Sequence, residues 1–469
     1  MNRAQALAIL ALPREQALSA ILTLAQKAEQ WERLQAQGAD TSLSPTTPSG
    51  MQPVYLKPSA KKRVKKPGRK AGHPGVCRKT PEHIDAWQEH TLKNCPQCET
   101  ALGEPIREHT RIIEDLPKVT PLVTEHTVNG YWCATCKTIV APKVTAALPR
   151  SSLGLSLVAQ TAWLHYFIGV SVGNCVRIAQ ASWGFDVSAG GLTQAWKNLA
   201  TQLEGHYERI GRTIRGAAVL CADETGWRIN GVTSWLWAFA TQQYCYYVID
   251  RRRSAEVVRR VLGTVFAGIL ITDFWGAYNA LEALAKQRCY FHLFTELIKV
   301  DKRNASAHWR AFRKRLARFL KDAVRLGEAR KIHPPPVYAR RKAQLHQRLD
   351  ALIAAAASCK DADAKRLIKR LRRHRHELLT FLDHENVSPY NNHAEQQIGT
   401  AVHTRKVSQQ NRSAAGAKTH AIFLTLFRSA HLQKLNPLDY VMHLAQVAIA
   451  EKSTTTTNVI PLAPLKKAA

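Results

Sequence analysis

Negative charge is what this chain has least of. Its 469 residues carry 35 Asp and Glu against 67 Lys and Arg, a formal net charge of +32. The excess runs along the whole chain, so a polyanion, above all nucleic acid, is the first partner to consider; a merely solvated basic surface is the bland alternative. Long apolar runs are also missing. The stretch between Arg150 and Arg177 holds no charge, but Gln160, Thr161, His165 and several glycines and serines dilute it, so it reads as a buried helical pair and not as a membrane span. An export signal is not expected, because Ala6–Leu12 is short, lacks a small-residue cleavage site and runs into Pro13-Arg14-Glu15. A nucleotide loop is missing too. Gly416-Ala417-Lys418-Thr419 imitates only its end, with Asn411 where the upstream glycine belongs, and no nucleotide cofactor is expected. Disulfides are not expected either, since four of the ten cysteines form two Cys-x-x-Cys pairs, which is metal-ligand spacing and fits a reducing, cytoplasmic setting.

What is present centres on residues 217–242. The apolar run Ala217–Ala222 stops on Asp223 and reads as a buried strand with that carboxylate at its exit; Asn230-Gly231 is the favoured hairpin turn into a second strand. Tyr244–Ile249 gives a third strand and Ser254–Leu262 a short helix, before Ala267–Thr272 repeats the pattern and ends on Asp273. Three antiparallel strands, a crossover helix and a fourth strand beside the first is the order of the ribonuclease-H-like fold. In that order Asp223 and Asp273 sit on neighbouring strands, close enough to share a divalent metal. Glu224 competes with Asp223, because adjacent strand residues face opposite ways and only one can face the site. Taken singly, each of these carboxylates could equally be a cap or a surface group.

Around this centre, length alone predicts two to four domains. Ala17, Ile21, Leu24, Ala28 and Trp31 follow a coiled-coil spacing over two to three heptads, fit for a zipper or for packing within a domain. A Ser/Thr/Pro-rich linker turns basic from Lys57 to Gly75, where Lys65, Lys66, Arg69 and Lys70 can lie along phosphates or enter a minor groove, or form a spacer. Cys95-x-x-Cys98 and Cys133-x-x-Cys136 predict one structural tetrahedral zinc in a ribbon, with strands drawn from the apolar residues of Thr110–Thr127. Val176–Trp183 and Ala189–Leu199, on either side of a Gly184-containing turn, have a helix-turn-helix cadence that any helical hairpin would share. From Lys299 to Asp383 amphipathic helices alternate apolar and basic faces, broken by Pro334–Pro336, with the last spanning Asp363–Leu382. Finally, Asn391 or Asn392 can cap a helix after Pro389 that carries Glu395 in its first turn, within reach of the two Asp residues. Glu385 and Asp383 are the alternatives for a third carboxylate. Cys289 and His292 could bind metal but have no further ligand at suitable spacing, so they are expected to pack near the site.

An ordered set of motifs resembles the DDE transposases of bacterial insertion sequences, in the family numbered sixty-six. The set comprises the N-terminal helix, Gly72-His-Pro-Gly75, the two Cys pairs, Asp223-Glu-Thr-Gly-Trp227, Thr272-Asp273-Phe-Trp-Gly-Ala-Tyr278-Asn279, Cys289-Tyr-Phe-His292, Asn391-Asn392-x-Ala-Glu395, Arg405-Lys406 and Asn436-Pro437-Leu-Asp-Tyr440. Tyr390, Gln396 and Leu293–Glu296 depart from the family pattern.

The resemblance implies that Asp223, Asp273 and Glu395 are a catalytic triad holding two Mg²⁺ or Mn²⁺ ions, with Asn391, Asn392, Cys289 and His292 as accessory residues and Arg405 and Lys406 added to the DNA contacts. The implied architecture is multidomain α/β: an N-terminal helix (1–50), basic linker (51–76), zinc ribbon (77–148), helical DNA-binding region (149–213), and a ribonuclease-H-like catalytic domain (214–298 and 385–431). A helical insertion (299–384) interrupts that domain, and a C-terminal helix with a disordered tail follows it (432–469). Expected partners are double-stranded DNA at the element ends and target, a second copy of the chain or more, and accessory proteins of the same element, on the nucleoid and not at a membrane. The implied activity is cleavage of element ends and joining of their 3′-hydroxyls to target DNA. A DNA-binding derivative and a nuclease without strand transfer are the competing readings.

Overall fold

A computed structural model describes residues 72–75, 78–356, 359–408 and 411–451, with scattered positions between 13 and 29. Most of the N-terminal heptad pattern, Lys65, Lys66, Arg69 and Lys70, and the tail beyond 451 lie outside the described residues.

Two short strands, β1 (Tyr131–Cys133) and β2 (Thr138–Val140), pair across the second Cys-x-x-Cys turn, and an isolated bridge from Asn94 to Ala101 closes the first. The segment Thr110–Thr127, expected to supply strands, has none, and its Ile113, Leu116, Leu122 and Val123 are exposed. Pro117 and Pro121 remove amide donors that a ladder there would need.

Helices α1 (Leu155–Trp163), α2 (Val172–Trp183) and α3 (Ala189–Arg215) follow. The uncharged stretch forms the largely buried α1, a π-helical turn at Leu164–Ile168 and the start of α2, of which only Cys175 and Ala179 are buried, and no described helix is long and apolar enough to cross a membrane. Gly184 takes a left-handed φ of 69° to end α2, and Ser188 caps α3 by accepting from the Gly191 amide. The predicted helical hairpin is present, but α3 runs far past Leu199 because Leu203, Tyr207, Ile210 and Ile214 continue its buried stripe.

The sheet comprises β3 (Val219–Ile229), β4 (Val232–Ala240), β5 (Cys245–Asp250), β6 (Val265–Thr272) and β7 (Glu282–Arg288), in the order β5-β4-β3-β6-β7. Asn230 and Gly231 have φ of 50° and 75°, the double positive φ of the predicted hairpin turn between β3 and β4. Strands β3 to β5 are antiparallel. After α4 (Ala255–Leu262), β6 lies parallel beside β3 as expected, and β7 adds a further parallel strand. The β6–β7 register shifts between Phe266 and Ile269, where a Cβ on Gly268 would stand 2.1 Å from the Ala217 carbonyl oxygen, so only glycine fits this approach.

Alternation along the strands divides the core. Leu220, Ala222, Trp237, Phe239 and Leu270 face a cluster with Trp196 and Leu199 of α3 and Val257 and Val261 of α4, whereas Cys221, Ile269 and Ile271 face the other side. There they meet α5 (Tyr290–Asp301) and the helices α6 (Ala307–Glu328), α7 (Pro335–Ala354) and α8 (Ala362–Arg373). Each fully buried Leu, Ile or Phe here contributes roughly 1.5–3 kcal/mol over exposure.

The last helix of this block ends at Arg373, short of the predicted Leu382. Leu378, Leu379, Phe381 and Leu382 are all buried, in a segment with 3₁₀ turns at Arg375–Glu377 and Thr380–Leu382 that packs onto β7. There Thr380 Oγ1 donates to the Lys286 carbonyl at 2.6 Å and the Phe381 amide to Gln287 Oε1 at 3.0 Å. The chain closes with α9 (Asn392–Ser408), α10 (Ala414–Leu432) and α11 (Pro437–Glu451).

Candidate active site

Strand β3 pairs with β6 only as far as Cys221 opposite Ile271, while β4 accompanies it to Ile229. Asp223 therefore lies mid-strand and not at the exit, because β4 goes on supplying partners after β6 has stopped. The loss of one neighbour leaves a gap beside Asp223, beyond the carboxyl end of β6. Asp273 follows that end directly, and its odd-numbered parity with Ile269 and Ile271 puts it on the same face as Asp223, whose parity is that of Cys221. The Trp275 amide donates to Asp273 Oδ1 at 2.8 Å, fixing the carboxylate in the turn.

Glu395 arrives from α9. Its amide donates to the Asn391 carbonyl at 3.2 Å, which places it in the first helical turn as predicted. Asn391 does not cap the helix through its side chain. It is fully buried, and its Nδ2 donates to the Ala222 carbonyl at 2.9 Å, tying the start of α9 to the residue before Asp223; Asn392 is exposed. The electrostatics record the convergence. Burial, then the charges of Glu224 and Asp273, and more weakly that of Glu395, raise the Asp223 pKa well above the ordinary carboxylate range.

Glu224 turns the other way, into the core. Arg253 holds it with Nε at 3.0 Å and Nη2 at 2.8 Å from Oε1, and the Tyr278 hydroxyl donates to Oε2 at 2.5 Å. The Arg253 guanidinium in turn lies over Trp275 and Trp235, 3.8 and 4.4 Å from their ring centres. Even so, burial first and Asp273 next push the Glu224 pKa up to about 7. Glu385 pairs with Lys331 and Asp383 with Lys342, at the outer side of the helical block.

Cys289 and His292 stand at the start of α5, and Glu395 joins them: one ligand atom from each lies within 4.8 Å of the others, the one such trio among the described residues. The further ligand that local spacing could not supply comes from a distant helix. His292 Nδ1 and Glu395 Oε1 are 3.9 Å apart, and both atoms, like Asn391 Oδ1, are buried without a hydrogen-bond partner. Burial raises the Cys289 thiol to about 11, against amide hydrogen bonds that favour the thiolate.

Sequence reading missed Arg288, which is wholly buried at the end of β7. Its guanidinium donates from Nε to Glu377 Oε2 at 2.5 Å, from Nη1 to the Asp273 carbonyl at 2.7 Å and Thr272 Oγ1 at 3.0 Å, and from Nη2 to Asn279 Oδ1 at 2.7 Å. The available signal is an arginine immediately before Cys289, at the end of a strand. Arg370 of α8 was counted only within a basic face, yet it lies 5.4 Å over the Phe274 ring, and burial lowers its pKa against the pull of Glu296 and Asp273. Arg405 needs correction as a DNA contact. It is buried, with Nη1 donating to Thr225 Oγ1 at 3.1 Å and also to the Gly226 carbonyl, because α9 packs on β3 and turns this side chain inward. Lys406, one position on, is exposed.

Residues 150–419 match the family model described as transposase IS66 family, and residues 93–137 match that of the zinc-finger binding domain of transposase IS66. The chain belongs to the IS66 transposase family. No curated protein matches it. Membership makes it a transposase-type, nucleic-acid-processing protein with a zinc-finger segment. Within that segment the IS66 cysteines form two separate half-sites. The Cys136 amide donates to Cys133 Sγ at 3.5 Å, and Cys98 Sγ lies 3.5 Å from Thr100 Oγ1; hydrogen bonds accepted by the two sulfurs lower the Cys133 and Cys98 pKa values. Thiolate-favouring turns of this kind fit zinc. No three of the four sulfurs lie within 4.8 Å of one another among the described residues.

Proposed function

We propose that this chain is a metal-dependent DNA transposase that cleaves the ends of its element and joins the freed 3′-hydroxyls to target DNA. What carries the reading is the approach of three carboxylates, remote in sequence, around the open end of β6, near enough for Asp273 and Glu395 to raise the Asp223 pKa though not within 4.8 Å of one another as a group. Strand parity aligns Asp223 and Asp273 with the face of Cys221, Ile269 and Ile271, and the charge of Glu395 on α9 reaches Asp223. The strand order β5-β4-β3-β6-β7 fits a ribonuclease-H-like catalytic domain, with the helices from Ala307 to Arg373 as its insertion.

An all-oxygen donor set with mutually repelling charges suits a hard divalent cation, so Asp223, Asp273 and Glu395 would hold Mg²⁺ or Mn²⁺. Two such ions, roughly 3.5–4 Å apart, would supply an activated oxygen nucleophile and stabilise the charge developing on the phosphoryl and leaving oxygens. The chain's own residues set the stage: Arg288 fixes the Asp273 backbone, Asn391 locks α9 to β3, and Arg253 with Tyr278 keeps Glu224 out of the site. The basic linker with Lys65, Lys66, Arg69 and Lys70, together with Lys406, would follow the phosphates of double-stranded DNA. Two copies of the chain or more would act together, with or without accessory proteins of the element. Element ends are sought in the DNA flanking the reading frame, as paired inverted repeats. A labelled duplex carrying such an end, incubated with Mg²⁺ and target DNA, should be cut and joined. No cutting and no joining leaves a DNA-binding derivative; cutting alone leaves a nuclease.

The shifted carboxylates give a pH signature. A carboxyl whose folded pKa lies above its unfolded value makes the fold less stable as pH rises between the two, here from 4.5 to about 7 for Glu224. A cation compensating Asp223 and Asp273 would ease the Asp273 charge on Glu224, the second cause of its shift after burial, and the mutual repulsion that raises Asp223. The rise in Tm on adding Mg²⁺ should therefore be small at pH 5 and grow to several degrees by pH 8, at about 2–4 °C per kcal/mol. An equal rise at both pH values, or one that persists in Asp223→Asn, would count against metal at this site.

Zinc at Cys95, Cys98, Cys133 and Cys136 would close the ribbon, since binding free energy at such sites is largely folding free energy. Cys98→Ser and Cys136→Ser should each release one zinc per chain, measured by metal analysis of the purified protein. An unchanged zinc content in both would refute the ligand set.

A further inference from the structure

The Cys289, His292 and Glu395 trio does not have the chemistry of a magnesium site. Mg²⁺ takes oxygen ligands in near-octahedral geometry, whereas a thiol, an imidazole and a carboxylate together match a borderline ion such as Zn²⁺, which accepts sulfur, nitrogen and oxygen donors in a tetrahedron. We propose that Cys289, His292 and Glu395 form a second zinc site, distinct from the ribbon, with a fourth position open to water, and that zinc bound there takes Glu395 away from the carboxylate site.

The geometry is favourable. Zn–N, Zn–O and Zn–S bonds of about 2.0–2.3 Å require ligand atoms roughly 3.3–3.8 Å apart, and the three atoms already lie within 4.8 Å of one another. His292 Nδ1 and Glu395 Oε1, 3.9 Å apart, are both buried and unpartnered, so neither loses a hydrogen bond on binding metal. Cys289 Sγ lies at the N-terminus of α5 and accepts the Asn391 amide at 3.2 Å, which fixes the sulfur beside the other two ligand atoms; a metal binding there displaces the thiol proton to solvent. The ligands come from two anchored elements. Asn391 ties the start of α9 to β3, and the Tyr290 amide donates to the Pro389 carbonyl at 2.8 Å, so α5 and α9 are held at a fixed separation. Because Glu395 is common to both sites, zinc and magnesium would compete for one carboxylate. This consequence rests on the function proposed above, whereas the zinc site itself does not.

The test is a zinc titration of the full-length protein against a chromophoric chelator. Wild type should bind two equivalents, the tighter in the ribbon, and His292→Gln and Cys289→Ser should each bind one. His292 is partly exposed and its replacement spares the packing, while serine preserves an acceptor for the Asn391 amide. A single equivalent in wild type, or two in both variants, would overturn the site. In parallel, free zinc that fills the second equivalent should suppress Mg²⁺-dependent cleavage by tenfold or more, and a chelator should restore it. Full cleavage at that occupancy would overturn the sharing of Glu395. The stoichiometry is read from zinc alone, so a failure of the transposase reading would show itself separately, as no Mg²⁺-dependent cleavage before any zinc is added.

Discussion

Asp223→Asn, Asp273→Asn and Glu395→Gln should each reduce Mg²⁺-dependent cleavage and joining at least a hundredfold, while binding of an element end stays within a few fold of wild type. An amide keeps the shape of the carboxylate and removes the charge that holds the cation, and a hundredfold corresponds to about 2.7 kcal/mol of transition-state stabilisation. Because burial and the neighbouring charges raise the Asp223 pKa, removing its charge should also relieve repulsion, so Asp223→Asn should melt no lower than wild type without metal. Glu224→Gln is the contrasting control. Its carboxylate serves Arg253 and Tyr278, so its amide leaves a half-buried guanidinium short of its counter-charge and should lower Tm. The two adjacent residues thus separate chemistry from stability. Wild-type cleavage by the Glu395 amide at unchanged Mg²⁺ would remove Glu395 from the site.

Arg288→Met should cost about 3–5 kcal/mol of stability, as expected when one partner of a buried ion pair is removed and the other stays. Four acceptors depend on this guanidinium: Glu377, the Asp273 carbonyl, Thr272 and Asn279. Arg288→Lys retains the charge but not the planar fork, so it should recover part of the Tm loss and little of the geometry. Its effect on the site is read separately. At a temperature where Arg288→Lys is folded, the Mg²⁺ concentration for half-maximal cleavage should rise, because the backbone of Asp273 has lost its anchor. A purely structural role would leave that concentration unchanged. An Arg288→Met variant melting like wild type would refute the anchoring altogether.

The parts legible in the sequence were those governed by local rules. Apolar alternation and the Asn230-Gly231 turn marked β3 and β4, and the repeat of an apolar run ending in Asp located β6, because strand periodicity and turn chemistry act over a few residues. Parity puts Asp223 and Glu224 on opposite faces, and Glu224 is the one held in the core by Arg253 and Tyr278. What could not be read depends on contacts between distant segments. Arg405 looked like a phosphate contact until the packing of α9 on β3 turned it inward. Arg288 had no acceptors within its own strand, and its four come from β6 (Thr272), the segment that follows it (Asp273 and Asn279) and the helical block (Glu377). Cys289 and His292 lacked a ligand nearby, since Glu395 approaches from another helix. The shortened α8 is the same lesson in packing: the apolar spacing after Arg373 reads as helix, but hydrogen bonds from Thr380 and Phe381 to β7 hold the segment in 3₁₀ turns.

The central claim is that Asp223, Asp273 and Glu395 together hold the divalent ions at which DNA is cut. Anomalous diffraction from crystals of the protein grown with Mn²⁺ and a duplex carrying an element end tests it most directly. The account predicts manganese peaks bounded by the carboxylates of Asp223, Asp273 and Glu395, beside the scissile phosphate, and lost in Asp223→Asn. Manganese bound elsewhere on the chain, with these three carboxylates free of metal beside bound DNA, would contradict it.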